Sequence, residues 1–271
     1  MKITQFTDRL HLLDKSTVVG LIVAAVGIST SLFIGGVSYS EILQPSAALL
    51  VLGGTIGAVM IQFPTETLLR ALGQLHLLFW NDGLAPTQRI RSLTTFASLA
   101  RRRGIVALDS ELERIEDIFM RKTLTLAVDG IHPDELRRRM QVDLNMRLDR
   151  AELASEVFET AGGLAPTIGI LGAVLGLIHV MRMLTDIDQV GKGIAASFVA
   201  TLYGVGAANL FLLPISGKLR QRAQEVHTLD EMTLDAVVAI LCGTGPRALE
   251  ESLSGYLLQP PARLLPQVID K

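Results

Sequence analysis

Residues 162–217 read GGLAPTIGILGAVLGLIHVMRMLTDIDQVGKGIAASFVATLYGVGAANLFLLPISG. They hold two apolar runs, Gly162–Met181 and Ile194–Leu213, joined by a short polar link. About 20 residues at a rise of about 1.5 Å make a helix about 30 Å long, the thickness of a bilayer's hydrocarbon core. Neither run contains Asp, Glu, Lys or Arg. Pro166 and Thr167 stand in the first run, Thr201 in the second, and Pro214 follows directly. A helix pair loosened by proline, with hydroxyls but no carboxylate to accept a proton, has the makings of half an ion path. The other half would come from a partner.

Two further stretches pass the same length test, Val18–Val37 and Leu43–Phe63. The first is too long and too rich in glycine for a signal-peptide apolar segment, and a second span follows at once. It is therefore read as retained. A mean hydropathy of +0.41 beside 19% charged residues, unevenly spread, fits spans joined to a soluble part.

Flanking charges set the expected orientation. Lys2, Arg9 and Lys15 precede the first span, Arg70 follows the second, and Lys218, Arg220 and Arg222 follow the fourth. The turn between Val37 and Leu43 has no Lys or Arg, so both termini and the long middle segment are expected in the cytoplasm. Arg182 and Lys192 fall on the other side, partly offset by Asp186 and Asp188.

Punctuation makes the remainder helical. Residues 1–16 form an amphipathic lead, with Phe6, Leu10 and Leu13 at helical spacing. Pro64 and Thr65 open a helix to about Trp80, where Asn81-Asp82-Gly83 ends it. Pro86 starts another through Arg103, closed by Gly104 at the C′ position. One helix is predicted over Asp109–Val128, and a largely polar one from Pro133 to about Thr160. Helix is expected again from Gly217 to about Leu241 and, after Gly243-Thr244-Gly245-Pro246, on to Leu258. The tail 259–271, with Pro260, Pro261 and Pro266, is expected to be loosely held. The fold class is all-α, a polytopic membrane protein with four transmembrane helices and a helical cytoplasmic domain. The expected divisions are 1–63 (lead and hairpin), 64–160 (cytoplasmic helices), 161–216 (spans three and four) and 217–271 (C-terminal helices and tail).

Several functions are excluded. A net charge of -2 gives no bulk electrostatic reason to bind nucleic acid. Cys242 is the single cysteine and forms neither an internal disulfide nor a thiolate metal set. There is no Gly-rich phosphate loop, no metal-spaced His/Cys group and no nucleophile motif with a base, so no enzyme, cofactor or metal is expected.

The membrane residues leave alternatives open. Pro166 and Pro214 each free a carbonyl about a turn upstream, which either kinks a helix or gates a path. Thr167 and Thr201 either line a polar path or bond back to their own helices. Gly169, Gly172 and Gly176, with Ala200, Gly204 and Ala207, offer small surfaces for close helix contact. His179 reads as interfacial, and Tyr203 and Asn209 as interhelical hydrogen-bonding residues.

These residues also carry a resemblance. Ala165-Pro166-Thr167-Ile168-Gly169-Ile170-Leu171-Gly172-Ala173-Val174-Leu175-Gly176-Leu177 is similar to the third span of the flagellar stator A subunit (MotA/PomA type) of the MotA/TolQ/ExbB superfamily. Phe198 to Gly204, Ala208-Asn209-Leu210, Pro214 and Lys218-Leu219 resemble its fourth span, and Leu99–Asp109 its charged cytoplasmic motif. The likeness runs in order to about Leu258, and four spans favour the stator over the TolQ/ExbB energisers of envelope transport. It implies an inner-membrane homopentamer around two B subunits (MotB/PomB type), each bringing an intramembrane aspartate. Ion flow would turn the ring against a rotor switch protein of the FliG type. Pro166 and Pro214 are then the conformational prolines, with Thr167, Ala173, Thr201 and Tyr203 beside the ion path. Ala173 stands where sodium-driven members carry threonine, which points to protons, while Thr167 keeps sodium open. Arg101 and Asp109 match the rotor-contact pair, with Asp in place of Glu, and Arg102 and Arg103 add charge.

Overall fold

The computed structural model describes residues 15–36, 38–78, 86–182 and 187–257. Most of the expected N-terminal lead, the Asn81-Asp82-Gly83 break, Asp186, the side chains of Asp188 and Lys192, and the tail 259–271 lie outside the described residues. Every regular element among the described residues is helical, and four helices are long and apolar enough to cross a membrane. The chain divides into two compact units, Met1–Asp82 with Ala151–Gln221, and Gly83–Arg150 with Arg222–Lys271.

The first unit begins with α1 (Lys15–Ile34), whose apolar window has no buried residue. A short α2 (Tyr39–Ile42) leads to α3 (Pro45–Gln62), with Pro45 in the first turn, where its missing N–H costs nothing. Ala47, Val51, Thr55 and Val59 recur every fourth residue on α3 and are its buried ridge. The buried Thr55 hydroxyl donates to the Val51 carbonyl at 2.7 Å, so the ridge leaves that group satisfied. Ala47 and Val51 pack with Val199 and Ala200 of α9 (Ile187–Ala207).

Next comes α4 (Thr65–Gln74), which tightens into a 3₁₀ turn at Leu75–Leu78 instead of continuing as α-helix. Ala71 and Leu78 pack against Ala154, Val157, Phe158 and Ala161 of α8 (Pro133–Met181) and Leu219 of α10 (Leu213–Leu241). The expected polar helix and third span are thus one uninterrupted α8. Lys218 bonds the Thr17 hydroxyl, and Arg220 pairs with Glu159.

The second unit contains α5 (Pro86–Arg103), a 3₁₀ turn at Ile105–Leu108, α6 (Asp109–Leu112), α7 (Ile118–Val128) and α11 (Pro246–Ser254). Parts of α8 and α10 complete it. The single helix expected over Asp109–Val128 is broken, because Asp117 adopts an extended backbone and caps α7. Its carboxylate accepts the Met120 N–H at 2.8 Å. Gly243 (φ 80°) closes α10 in the left-handed region, with the N–H groups of Gly243 and Thr244 bonding Ile240 and Ala239. Leu93, Phe119, Leu124, Leu136, Met140, Leu144, Met232 and Leu249 form the core.

A buried ion network ties four helices of this unit together. Arg89 on α5 pairs with Asp117 and reaches Asp230 at 3.2 Å and the Thr233 hydroxyl at 3.2 Å. Arg147 on α8 meets Asp230 from the other side at 3.0 Å and lies over the Phe119 ring. Asp230 is only 3% exposed. Burial pushes its carboxyl above the usual range, the Asp117 charge adds to this, and Arg89 and Arg147 oppose it. The folded chain therefore holds this proton to a higher pH than the unfolded chain. Asp230's contribution to stability falls as pH rises from the ordinary carboxylate range until the group is ionised in both states. Asp230→Ala removes the partner shared by Arg89 and Arg147, though Arg89 keeps Asp117 and Arg147 keeps Asp143, and should lower stability by about 1–3 kcal/mol, read as a lower melting temperature of the detergent-solubilised chain. Asp230→Asn should cost less and flatten the pH dependence in that window.

Candidate functional site: a carboxylate-free helix pair

Spans three and four touch through their main chains. A Cβ added at Gly169 would stand 2.9 Å from the Ala200 carbonyl oxygen, 3.2 Å from the Thr201 Cα and 3.3 Å from the Gly204 Cα. One at Gly204 would run into the Ala165 carbonyl. Further along, an added Cβ at Gly172 would meet Leu50 Cδ2 at 2.7 Å and Ala200 Cβ at 2.8 Å, and one at Gly176 would strike the Ser197 hydroxyl. Glycine at these places lets two backbones approach as far as van der Waals contact allows. Ser197 and the Ala165 carbonyl are part of this seam although neither stood out in the sequence.

The hydroxyls divide. Thr167 is exposed and donates to the Leu164 carbonyl of its own helix at 2.7 Å. Thr201 is half-buried and crosses to the Gly169 carbonyl of span three at 3.4 Å. Pro166 and Ala173 are half-buried on α8, and Pro214 is exposed in the first turn of α10. Tyr203 ties span four to the opening hairpin: its hydroxyl donates to the Ile42 carbonyl at 2.6 Å and accepts the Gln44 N–H at 3.1 Å. Two main-chain groups between α2 and α3 are bonded by this one side chain. Asn209 is the exception to the interhelical reading, since its amide reaches back to Val205 of the same helix at 2.9 Å.

Between α9 and α10 the helix widens into a π-turn at Ala208–Leu212, where the Leu213 N–H bonds the Ala208 carbonyl. Pro214 indicated a lost donor; an i→i+5 turn has no signature in composition or periodicity. All four spans are free of Asp, Glu, Lys and Arg. No three His, Cys, Asp or Glu side chains gather as a metal site among the described residues. The arrangement can pass or exclude ions and bend, but apart from His179 near the end of span three it has no Asp, Glu, Lys, Arg or His.

In the second unit, Arg101, Arg102 and Arg103 occupy the last turn of α5, where the helix dipole favours cations. Gly104 (φ 82°) turns the chain there, and Asp109 opens α6. All four charged side chains are exposed, and none has a hydrogen-bond or ion-pair partner among the described residues. Beside them lies a cavity of about 370 Å³ lined by Phe96, Leu99, Arg102, Arg103 and Glu111, with Thr95 and Ser98.

Fold and site together define a polytopic membrane protein built around a close, acid-free helix pair. Residues 111–232 match the family of MotA/TolQ/ExbB proton channels. The chain is 35% identical to Motility protein A of Bacillus subtilis (strain 168) over 246 residues, 90% of this chain and 91% of that protein. Its fold is similar to the flagellar MotAB stator complex from Bacillus subtilis (TM-score 0.84, 34% identity, 92% of this chain and 97% of that one). It is equally similar to C. jejuni MotAB (TM-score 0.88, 27% identity, 93% and 99%). The chain belongs to the MotA/TolQ/ExbB proton channel family, among its MotA-like flagellar stator proteins.

The seam can be tested directly. Gly204→Val places a branched side chain against main-chain atoms that cannot step aside, and overpacking of this kind costs about 1–3 kcal/mol. The expected outcome is a lower melting temperature in detergent, and Gly206→Val, where an added Cβ meets nothing within 4 Å, should leave it near wild type.

Proposed function

We propose that the chain is the ion-conducting A-type subunit of a bacterial flagellar stator, a multi-pass inner-membrane protein coupling proton flow to rotation. The observation that carries this is the pairing of spans three and four: backbones in contact, hydroxyls and proline breaks beside them, and no carboxylate. Proton transfer through a membrane needs an ionisable relay, so a partner must lend it. The chain is similar to subunits of MotAB structures, which supports a B-type partner of the MotB/PomB kind carrying one intramembrane aspartate. Five copies around two such partners form the working ring.

In this reading Pro166 and Pro214 are the joints at which the spans change shape, and Thr201 is the hydroxyl nearest the ions. Thr167 faces outward from α8 toward the partner, and Tyr203 fixes span four to the opening hairpin. Ala173 adds no hydroxyl, which favours protons over sodium. Both termini and the helices of residues 64–160 and 217–271 are cytoplasmic, as the Lys and Arg flanks favour. There Arg101, Arg102, Arg103 and Asp109 engage the rotor switch protein of the FliG type. None of them has a hydrogen-bond or ion-pair partner among the described residues, which supports a role in steering, where charge sets encounter rate and register more than tight affinity.

Arg101→Glu with Asp109→Lys tests the rotor contact. Swimming speed should fall at least about ten-fold, the effect of mispairing charges across an interface, while proton flux through the complex and membrane level stay at wild type. Unimpaired swimming would contradict the rotor role.

A further inference from the structure

Asn209 carries a role that follows from the π-turn and rests on the ion-path reading above. The Leu213 N–H is taken by Ala208, five residues back. The carbonyl of Asn209 therefore loses its ordinary α-helical donor, and the next N–H in i→i+5 register belongs to Pro214, which has none. The carbonyl of Leu210 loses its α-helical donor to the same proline. Two consecutive main-chain oxygens thus lack their α-helical donors at the end of an apolar span, with the Ile215 N–H left in i→i+5 register for Leu210 alone. Irregular backbone at membrane depth is tolerated only where protein buries it or a water-filled cavity meets it. Asn209, Leu210 and Phe211 are exposed on this chain, so its own side chains do not cover the turn. Water on the ion path is the occupant that suits the site.

The turn is held at two points. Toward span three, an added Cβ at Gly162 would meet Leu213 Cδ2 at 2.7 Å and Leu212 Cβ at 3.5 Å, so spans three and four lie in contact here as well. Gly162 is also the residue whose carbonyl loses its α-helical donor to Pro166, although α8 runs through that proline unbroken. On the upstream side, the Asn209 amide donates to the Val205 carbonyl at 2.9 Å. We propose that Asn209 is a positioning residue of the ion path: its amide anchors the π-turn to the preceding helix, so that the carbonyls released by Pro214 stay in place as main-chain polar groups for water and passing cations.

The test uses the chain coexpressed with its B-type partner in membrane vesicles, with proton uptake driven by a pH gradient. Asn209→Leu removes the donor at similar volume and should slow uptake about five-fold, the factor set by one hydrogen bond of about 1 kcal/mol. Asn209→Gln keeps the donor and should recover most of the rate. Because both residues act on one turn, Asn209→Leu with Pro214→Ala should be no slower than the slower single variant. Membrane level and co-purification with the partner should match wild type throughout. Wild-type uptake by Asn209→Leu, no recovery by Asn209→Gln, or additive losses in the double variant would overturn the role of Asn209 while leaving the stator reading intact. If Asn209→Leu fails to assemble, Asn209→Ala carries the same test. No uptake by the wild-type complex would overturn both.

Discussion

The contact between Gly169 and Gly204 governs the membrane half of this protein. Two helices that meet main chain to main chain leave no room for side chains between them, and a single added methyl on either glycine collides with backbone. In lipid there is no hydrophobic drive to bring helices together, so close packing of small residues has to do it. The same closeness lets Thr201 reach across to the Gly169 carbonyl. It also brings Gly162 against Leu212 and Leu213, where the helix has already left α-geometry. Seam, hydroxyl and irregular turn form one continuous strip along spans three and four.

Along that strip the backbone's polar groups are distributed rather than hidden. Tyr203 satisfies two of them between α2 and α3, Thr167 adds a third bond on its own helix, and Asn209 a fourth. Pro166 and Pro214 do the opposite and release carbonyls. In a medium without water each released group must find another partner; in the reading proposed above, a hydrated ion path supplies one. The absence of any carboxylate in the spans gives the strip its meaning, since it can conduct and flex but offers no acid of its own to a proton relay. The helical unit of residues 83–150 and 222–271 solves a different problem: it buries Asp230 between two arginines and exposes Arg101, Arg102, Arg103 and Asp109, which have no ion-pair partner among the described residues.

Much of this was legible in the sequence, for identifiable reasons. Membrane spans announce themselves by length and by missing charge, and α5 by Pro86 at its start and Gly104 at its end. The break at Asp117 was hidden because apolar residues keep helical spacing on both sides of it, and a capping aspartate looks like any other acid. The Arg89–Asp117–Arg147–Asp230 network joins residues far apart in the chain, so no local pattern marks it. The π-turn at Ala208–Leu212 left only Pro214 as a trace. Asn209 reads as interhelical because a polar side chain in a span invites a partner on a neighbouring helix, whereas its amide bonds the Val205 carbonyl one turn back on its own helix.

In the proposed function, the proton-accepting group is supplied from outside this chain. Proton flux in liposomes measures it: the purified chain alone, the chain assembled with its B-type partner, and the same assembly with the partner's intramembrane aspartate changed to asparagine. Flux from the intact assembly only, with the other two at background, is the predicted result. Conduction by the isolated chain at the rate of the assembly would contradict it.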